Sequence, residues 1–186
     1  MTYVFLADGF EEIEALTTVD ILRRSGIQVT MVGVGGEQIT GAHGIRVQCD
    51  IIQERAIPST AEMVVIPGGM PGVSNLAKSS VLKEFINLTI LGGGYVAAIC
   101  AGPAILGEMG VLQGKNATCF PGFESELKGA LLSDEPLVHD GQFITAKGPG
   151  MSMEFALYLA QLLCKQYGGS HWENFPEMKE GLQCRK

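Results

Sequence analysis

One cysteine of this chain lies in a sequence context that is typical of a nucleophile. Cys100 follows the apolar run Val96–Ile99 and precedes Ala101, Gly102 and Pro103. Small residues around a cysteine allow a sharp turn from a buried strand into a helix, and such a turn aims the sulfur outward. Because the free amides and the dipole of the following helix favour a thiolate, we expect a lowered thiol pKa. The alternative is an inert cysteine in the core.

Three glutamates, Glu11, Glu12 and Glu14, occur where a first helix is expected to begin. Acidic residues complement the dipole at a helix N-terminus, and this explanation is sufficient for most of the group. Glu14 differs because helical spacing places it beside Ile13 and Leu16, on the stripe that we expect to be buried. Burial raises the pKa of a carboxyl group and keeps it protonated. A protonated Glu14 could donate a hydrogen bond to a nearby thiolate.

Glycines at another strand end indicate backbone amides that could hold an anion. The segment Met63–Ile66 predicts a short buried strand, and Pro67, Gly68 and Gly69 follow it. Without side chains, these glycines let backbone N–H groups approach a bound anion or a developing oxyanion. The alternative interpretation is that these glycines only form a tight turn that needs positive φ. The Gly33–Gly36 segment lacks the GxGxxG spacing of a dinucleotide site, so we expect no nicotinamide or nucleotide cofactor.

We predict neither a metal site nor a catalytic triad. The five cysteines include no CxxC pair, and none of the three histidines, His43, His139 and His171, is adjacent to Cys100 in sequence. A zinc site needs closely spaced ligands of these types. We expect most of the thiols to be free and buried, as in a protein of a reducing compartment.

Charge and hydropathy argue against several classes of protein. Twenty acidic residues against 13 basic ones give a net charge of −7, the wrong sign for binding nucleic acid. The start of the chain does not resemble a secretory signal, so we expect a cytoplasmic protein. Residues 85–107 carry no charge, but Asn87, Gly92–Gly94 and Pro103 interrupt this segment. We therefore expect helix, turn, strand and helix there, and no membrane association.

Strand-like and helix-like segments alternate along the chain and must position these residues. Buried strands are predicted for Tyr3–Ala7, Ile27–Val34 and Tyr95–Ile99, and helices for Glu11–Arg24 and Ser152–Gln166. This alternation predicts a single α/β domain over residues 1–186 with a doubly wound, mostly parallel sheet. Ligands of such sheets bind beyond the carboxyl ends of the strands. The pattern does not predict a conformation for the tail, residues 166–186.

Four motifs together carry a family resemblance. The segments Glu11–Glu14, Pro67–Gly69, Ala98–Pro103 and Gly148–Gly150 have the sequences EEIE, PGG, AICAGP and GPG. In that order they closely resemble the ThiJ/PfpI family, in the branch of the parkinsonism-associated protein deglycase and its bacterial relatives. The resemblance extends from residue 3 to about residue 165. It implies a flavodoxin-like α/β/α sandwich with a strand-to-helix nucleophile elbow, usually as a homodimer.

The resemblance also implies roles for individual residues. Cys100 corresponds to the elbow nucleophile, and Glu14 to its partner carboxyl, which is normally protonated. Gly69 and Ala101 match the backbone amides that face a bound oxygen.

Three positions depart from the family pattern. Ala101 stands where peptidase-like branches have a histidine after the cysteine, so peptidase activity is not expected. Phe120 replaces a histidine that precedes the proline corresponding to Pro121, and His43 replaces an arginine that often precedes the glycine corresponding to Gly44. The first of these two replacements puts the polarisation of a substrate carbonyl in doubt.

The leading hypothesis is a cofactor-independent enzyme that acts on α-oxoaldehydes such as methylglyoxal (glyoxalase III-type) or on their early adducts with thiols and amines (deglycase-type). Cys100 would attack the aldehyde, Glu14 would transfer the proton, and the amides of Gly69 and Ala101 would hold the oxyanion. One alternative is a redox sensor or oxidant-activated chaperone that uses the same cysteine. A further alternative is a role in thiazole monophosphate biosynthesis, for which Lys147 is the only base beside the motifs.

Overall fold

The computed structural model describes residues 1–183, and Cys184, one of the five cysteines, lies outside this range. The strands are β1 (Thr2–Ala7), β2 (Val29–Val34), β3 (Gln38–Thr40), β4 (Arg46–Gln48), β5 (Ile51–Ile52), β6 (Met63–Ile66), β7 (Tyr95–Ile99), β8 (Asn116–Ala117), β9 (Leu131–Leu132), β10 (Leu137–Asp140) and β11 (Phe143–Ala146). The helices are α1 (Glu12–Arg24), α2 (Gly72–Leu76), α3 (Ser80–Leu91), α4 (Pro103–Glu108), α5 (Ser152–Tyr167) and α6 (Gly169–Gly181).

Within the described residues, one seven-stranded sheet has the order β10-β11-β7-β6-β1-β2-β5. Its neighbouring strands are parallel except β10, which pairs antiparallel with β11 across the Asp140-Gly141 turn. The chain runs outward from β1 through β2 and then returns to the other side of β1 with β6. The carboxyl ends of β1 and β6 therefore flank the point where the strand order reverses, which is where ligands bind in such sheets.

Both faces of the sheet are covered by helices. Alternate side chains of β1 divide between two cores: Val4 and Leu6 pack with α1 and α5, whereas Phe5 and Ala7 pack with α3 and α4. This period of two is expected for a strand that is buried on both sides. The predicted flavodoxin-like α/β/α sandwich is confirmed.

Helix α1 corrects one detail of the sequence analysis. Ile13 was expected on the buried stripe, but its side chain is 56% exposed, whereas Leu22 is fully buried. Nine residues at about 100° each place Ile13 on the opposite side of the helix from Leu22. Glu14 is nevertheless 1% exposed, because its position matches that of the buried Thr18 and Ile21.

The uncharged segment 85–107 contains the end of α3, a glycine turn, β7 and the start of α4, as the sequence predicted. Every helix within residues 1–183 is too short or too polar to span a lipid bilayer. In the tail, for which no conformation was predicted, residues 169–181 form α6, which contacts α5; residues 184–186 lie outside the described range.

Candidate active site

Cys100 occupies a strained turn between β7 and α4. Its φ is 63°, in the left-handed region that residues other than glycine seldom adopt. The backbone is held there on both sides, since the Cys100 N–H donates to Ala146 O at 2.9 Å and the Phe120 N–H donates to Cys100 O at 2.9 Å. A Cβ on Gly102 would lie only 2.7 Å from Ile66 O, so the turn needs glycine at that position. The predicted elbow is present.

The segment after β6 brings Glu14 and Cys100 together. The Gly68 N–H donates to Glu14 Oε2 at 2.6 Å. A Cβ built on Gly68 would lie 2.7 Å from Glu14 Oε2 and 2.9 Å from Cys100 Sγ. The thiol and the carboxyl group therefore meet over a position that has no side chain, and the two groups interact. Glu14 Oε1 is buried and has no well-formed hydrogen bond to any residue in 1–183.

The amides of Gly69 and Ala101 face the sulfur. Both N–H groups interact with Cys100 and act to lower its pKa, as donors to a developing negative charge do. Gly69 has a φ of 91°, which lets the chain turn back toward the elbow. The structure thus brings together all four residues that the sequence singled out, Cys100, Glu14, Gly69 and Ala101. Their roles stay predictions.

Burial dominates the electrostatics of the pair. It raises the pKa of Glu14 to about 7, against the lowering effect of the hydrogen bonds from Gly68 and Cys100, and the charge of Glu11 adds to the increase. Burial also raises the pKa of Cys100 to about 12, helped by the negative charge of Glu14 and its hydrogen bond to the thiol. The two groups therefore titrate as a coupled pair that keeps one proton above neutral pH.

The expected lowering of the Cys100 pKa is therefore wrong in direction. Helix α4 has only six residues, and its first amides do not offset burial and the neighbouring carboxylate. The raised pKa predicted for Glu14 is confirmed in direction. The chemical consequence is a thiol beside a carboxylate whose pKa lies near neutrality, and such a carboxylate can act as a general base toward the thiol.

The sequence analysis missed the role of Glu12, which it assigned only to the helix dipole. Glu12 is 4% exposed and binds the loop 41–45. Its Oε1 accepts from the N–H of His43 at 2.8 Å and from the N–H of Ile45 at 3.3 Å, and its Oε2 lies 2.9 Å from His43 Nδ1. These partners are 31 and 33 residues away along the chain, so local spacing carries no signal of the contact.

Ligand-type atoms of Glu11, Glu12 and His43 lie within 4.8 Å of one another. Both oxygens of Glu12 and the Nδ1 of His43 are already engaged with each other or with the loop amides. Hydrogen bonding within the chain therefore accounts for this group, and we assign no metal to it. That the protein needs neither metal nor cofactor stays a prediction.

The other predicted positions lie around or away from the elbow. Phe120 is 42% exposed and its ring lies close to Gly148. Lys147 donates to Asp134 O at 2.7 Å, so a backbone carbonyl already holds the single base considered for phosphate binding. His139 bonds to Tyr158 OH at 2.8 Å on the edge strand β10. Cys49, Cys119 and Cys164 are free and buried, whereas Cys100 is half-buried.

Comparison with known proteins agrees with this geometry. The model of the DJ-1/PfpI family matches residues 2–162. Protein dj-1beta of Drosophila melanogaster is 35% identical over 182 residues, which are 96% of this chain and 94% of that protein. The Caenorhabditis elegans protein named glutathione-independent glyoxalase DJR-1.2 is 36% identical over 82% of each chain. The solved structure of oxidized DJ-1 from Toxoplasma gondii has a TM-score of 0.90 at 29% identity and covers 100% of this chain and 98% of its own. As the motifs predicted, this chain belongs to the DJ-1/PfpI family.

Proposed function

We propose that this protein is a cofactor-independent enzyme that converts α-oxoaldehydes such as methylglyoxal, or their early adducts with thiols and amines, into hydroxy acids. The observation that carries the proposal is that the half-buried Cys100 thiol and the Glu14 carboxyl group, whose pKa is raised to about 7, meet at Gly68. A relative at 36% identity is named as a glutathione-independent glyoxalase, which supports the same reaction class.

The first step is addition of the thiol to the aldehyde carbon. The sulfur forms a bond to carbon while the Glu14 carboxylate takes the thiol proton. Negative charge develops on the aldehyde oxygen, where the N–H groups of Gly69 and Ala101 stabilise it. The oxygen then takes this proton from Glu14, so Glu14 is again a carboxylate and the product is a hemithioacetal on Cys100.

The second step is an internal transfer of hydrogen. Glu14 removes the proton from the carbon bound to sulfur while the ketone oxygen takes up a proton from solvent, which gives an enediol. Glu14 then returns its proton to the neighbouring carbon, and the hydroxyl group of the former aldehyde carbon releases its proton to solvent. The former aldehyde carbon is oxidised to a thioester and the ketone carbon is reduced to an alcohol, so no external oxidant is needed. Water then hydrolyses the thioester, which releases lactate from methylglyoxal and regenerates the Cys100 thiol.

The test is the Cys100→Ser protein. Serine keeps the size and the elbow but is a far weaker nucleophile, so we expect a folded protein without lactate production from methylglyoxal. Cys119→Ala is the matched control, because Cys119 is buried and takes no part in the proposed reaction. Substantial turnover by Cys100→Ser would rule the mechanism out. Release of amines from early adducts, measured in parallel, separates a deglycase from a glyoxalase.

We also propose that the protein acts as a homodimer in the cytoplasm without nucleic acid or membrane partners. Two large apolar side chains support a second copy as the partner: Ile13 on α1 is 56% exposed and Ile45 is 52% exposed. Both flank Glu12, since Ile13 follows it in sequence and the Ile45 N–H donates to its carboxylate. Light scattering should give a dimer mass for the wild type and a monomer mass for Ile13→Glu.

Redox sensing, with or without an oxidant-activated chaperone activity, is the second candidate function. It is favoured by the contrast between Cys100, which is half-buried, and Cys49, Cys119 and Cys164, which are 3%, 4% and 0% exposed. A protonated Glu14 beside the sulfur would donate a hydrogen bond to the oxygen of a sulfenic or sulfinic acid.

A further inference from the structure

The loop 41–45 is fixed to the start of α1 by one buried carboxylate. Glu12 receives two backbone N–H groups from this loop, and a side chain on Gly41 would overlap the Glu12 carboxyl group. The Ala42 N–H adds a bond to Phe10 O at 2.8 Å. The imidazole of His43 is therefore held at a defined place beside the helix start, although 67% of this side chain is exposed in the single chain.

His43 lies between two acidic residues. Its Nδ1 is 2.9 Å from Glu12 Oε2 and 3.7 Å from Glu11 Oε1. Glu12 has four hydrogen-bonding interactions that favour its ionised form, and its pKa is lowered. An imidazolium at this position neutralises carboxylate charge that a neutral imidazole leaves uncompensated.

Glu11 connects this group to the reactive pair. The Glu11 N–H donates to Gly68 O at 2.9 Å, and the Gly68 N–H donates to Glu14 Oε2 at 2.6 Å. The backbone of Gly68 thus bonds to both Glu11 and Glu14 and fixes their relative positions. The negative charge of Glu11 raises the pKa of Glu14. A positive charge beside Glu11 therefore offsets this effect and lowers the pKa of Glu14.

We propose that His43 is a positioning residue whose charge, acting through Glu11, sets the protonation of the Glu14–Cys100 pair. The inference rests on the proposed function only in taking this pair as the reactive site. Among residues 1–183, the titratable groups that interact with His43 are Glu11 and Glu12, and those that interact with Glu14 are Glu11 and Cys100.

The direction in which His43 shifts the Glu14 pKa follows from the charges of His43 and Glu11. Hydrogen bonding to Glu12 and the charges of Glu11 and Glu12 raise the pKa of His43. Below that pKa the imidazolium offsets Glu11, so Glu14 ionises more readily. Above it the full charge of Glu11 acts on Glu14, which keeps its proton to higher pH. The two sites therefore oppose each other's protonation, and the pair responds to pH through the titration of His43.

The experiment measures the titration of Glu14 directly. Carbon-13 NMR of protein labelled in its glutamate carboxyl groups, assigned with Glu14→Gln, gives the midpoint for the wild type, His43→Gln and His43→Lys. Gln keeps a neutral donor to Glu12, and Lys keeps a permanent positive charge. The control is His171→Gln, because the His171 Nε2 lies 3.2 Å from Gly26 O, beyond the other end of α1.

We expect the Glu14 midpoint to lie higher in His43→Gln than in His43→Lys, by roughly half a pH unit at low salt, the size of one screened unit charge. This difference should shrink at high ionic strength, and His171→Gln should match the wild type. Equal midpoints in the two variants, a reversed order, or a difference that salt leaves unchanged would overturn the proposal. Absence of methylglyoxal turnover in the wild type would defeat the proposed function but leave the difference between these midpoints standing.

Discussion

The backbone N–H of Gly68 donates to Glu14 Oε2 at 2.6 Å and holds a buried carboxyl group against the Cys100 thiol. This contact joins the carboxyl end of β6 to the first turns of α1. Because Gly68 has no side chain, the sulfur and the carboxyl group can both occupy the space above it.

The first prediction concerns the space above Gly68 that the Glu14 carboxyl group and the Cys100 thiol share. In Gly68→Ala the new methyl group would lie 2.6 Å from Cys100 Cβ and 2.7 Å from Glu14 Oε2, so the pair must separate. We expect at least a hundredfold loss of methylglyoxal turnover. Gly150→Ala is the control, because a Cβ there meets nothing within 4 Å. Gly68→Ala with wild-type turnover would show that the contact is not needed.

The second prediction separates reactivity of the thiol from catalysis. Glu14→Gln removes the charge and the hydrogen bond that raise the pKa of Cys100, so the midpoint of Cys100 alkylation by iodoacetamide should move to lower pH. Turnover should nevertheless fall by roughly 10²–10⁴-fold, because the amide cannot move a proton. Glu14→Asp keeps a carboxyl group and should retain more activity. Turnover of Glu14→Gln within tenfold of the wild type would contradict the assigned role.

The third prediction is a dependence of stability on pH. The folded state raises the pKa of Glu14 from 4.5 to about 7, so it binds a proton more tightly than the unfolded state. The resulting stabilisation is complete below pH 4.5 and is lost as pH rises through 7. The shift corresponds to about 3 kcal/mol.

Denaturant unfolding of wild type and Glu14→Gln at several pH values isolates this contribution, because groups whose pKa does not depend on Glu14 cancel in the difference, and the Cys100 thiol keeps its proton over this range in the wild type. We expect the free energy of unfolding of the wild type to decrease relative to the variant between pH 4.5 and 8. A difference that stays constant with pH would mean that Glu14 has an ordinary pKa in the folded protein.

Local patterns were sufficient for the central strands β1, β6 and β7 and for the elbow, but not for the short strands β3, β5 and β9. β6 and β7 have the predicted bounds because they are continuous apolar runs that end in turn residues. The short helix α2 and the tail helix α6 were not predicted, because α2 has five residues and α6 contains Pro176 and little apolar periodicity.

The electrostatics of the site could not be predicted from local patterns. The pKa of Cys100 depends on Glu14, which lies 86 residues earlier in the chain, and on how deeply both groups are buried. The hydrogen bond between Glu12 and His43 likewise joins residues that are far apart in the sequence. Sequence motifs therefore predicted which residues meet but not which of them holds the proton.

The last prediction tests the redox candidate. Under mild peroxide, mass spectrometry should find oxidation first at Cys100, because the other cysteines of the described chain are at most 4% exposed. The reaction needs the thiolate, so its rate should rise with pH in the wild type, and Glu14→Gln should reach the same rate at lower pH. Oxidation of Cys100 in Glu14→Gln would show that oxidation and turnover are separate properties, because this variant should lose turnover. Preferential oxidation of Cys119 or Cys164 would exclude Cys100 as the sensor, since a sensor must be the residue that the oxidant reaches first.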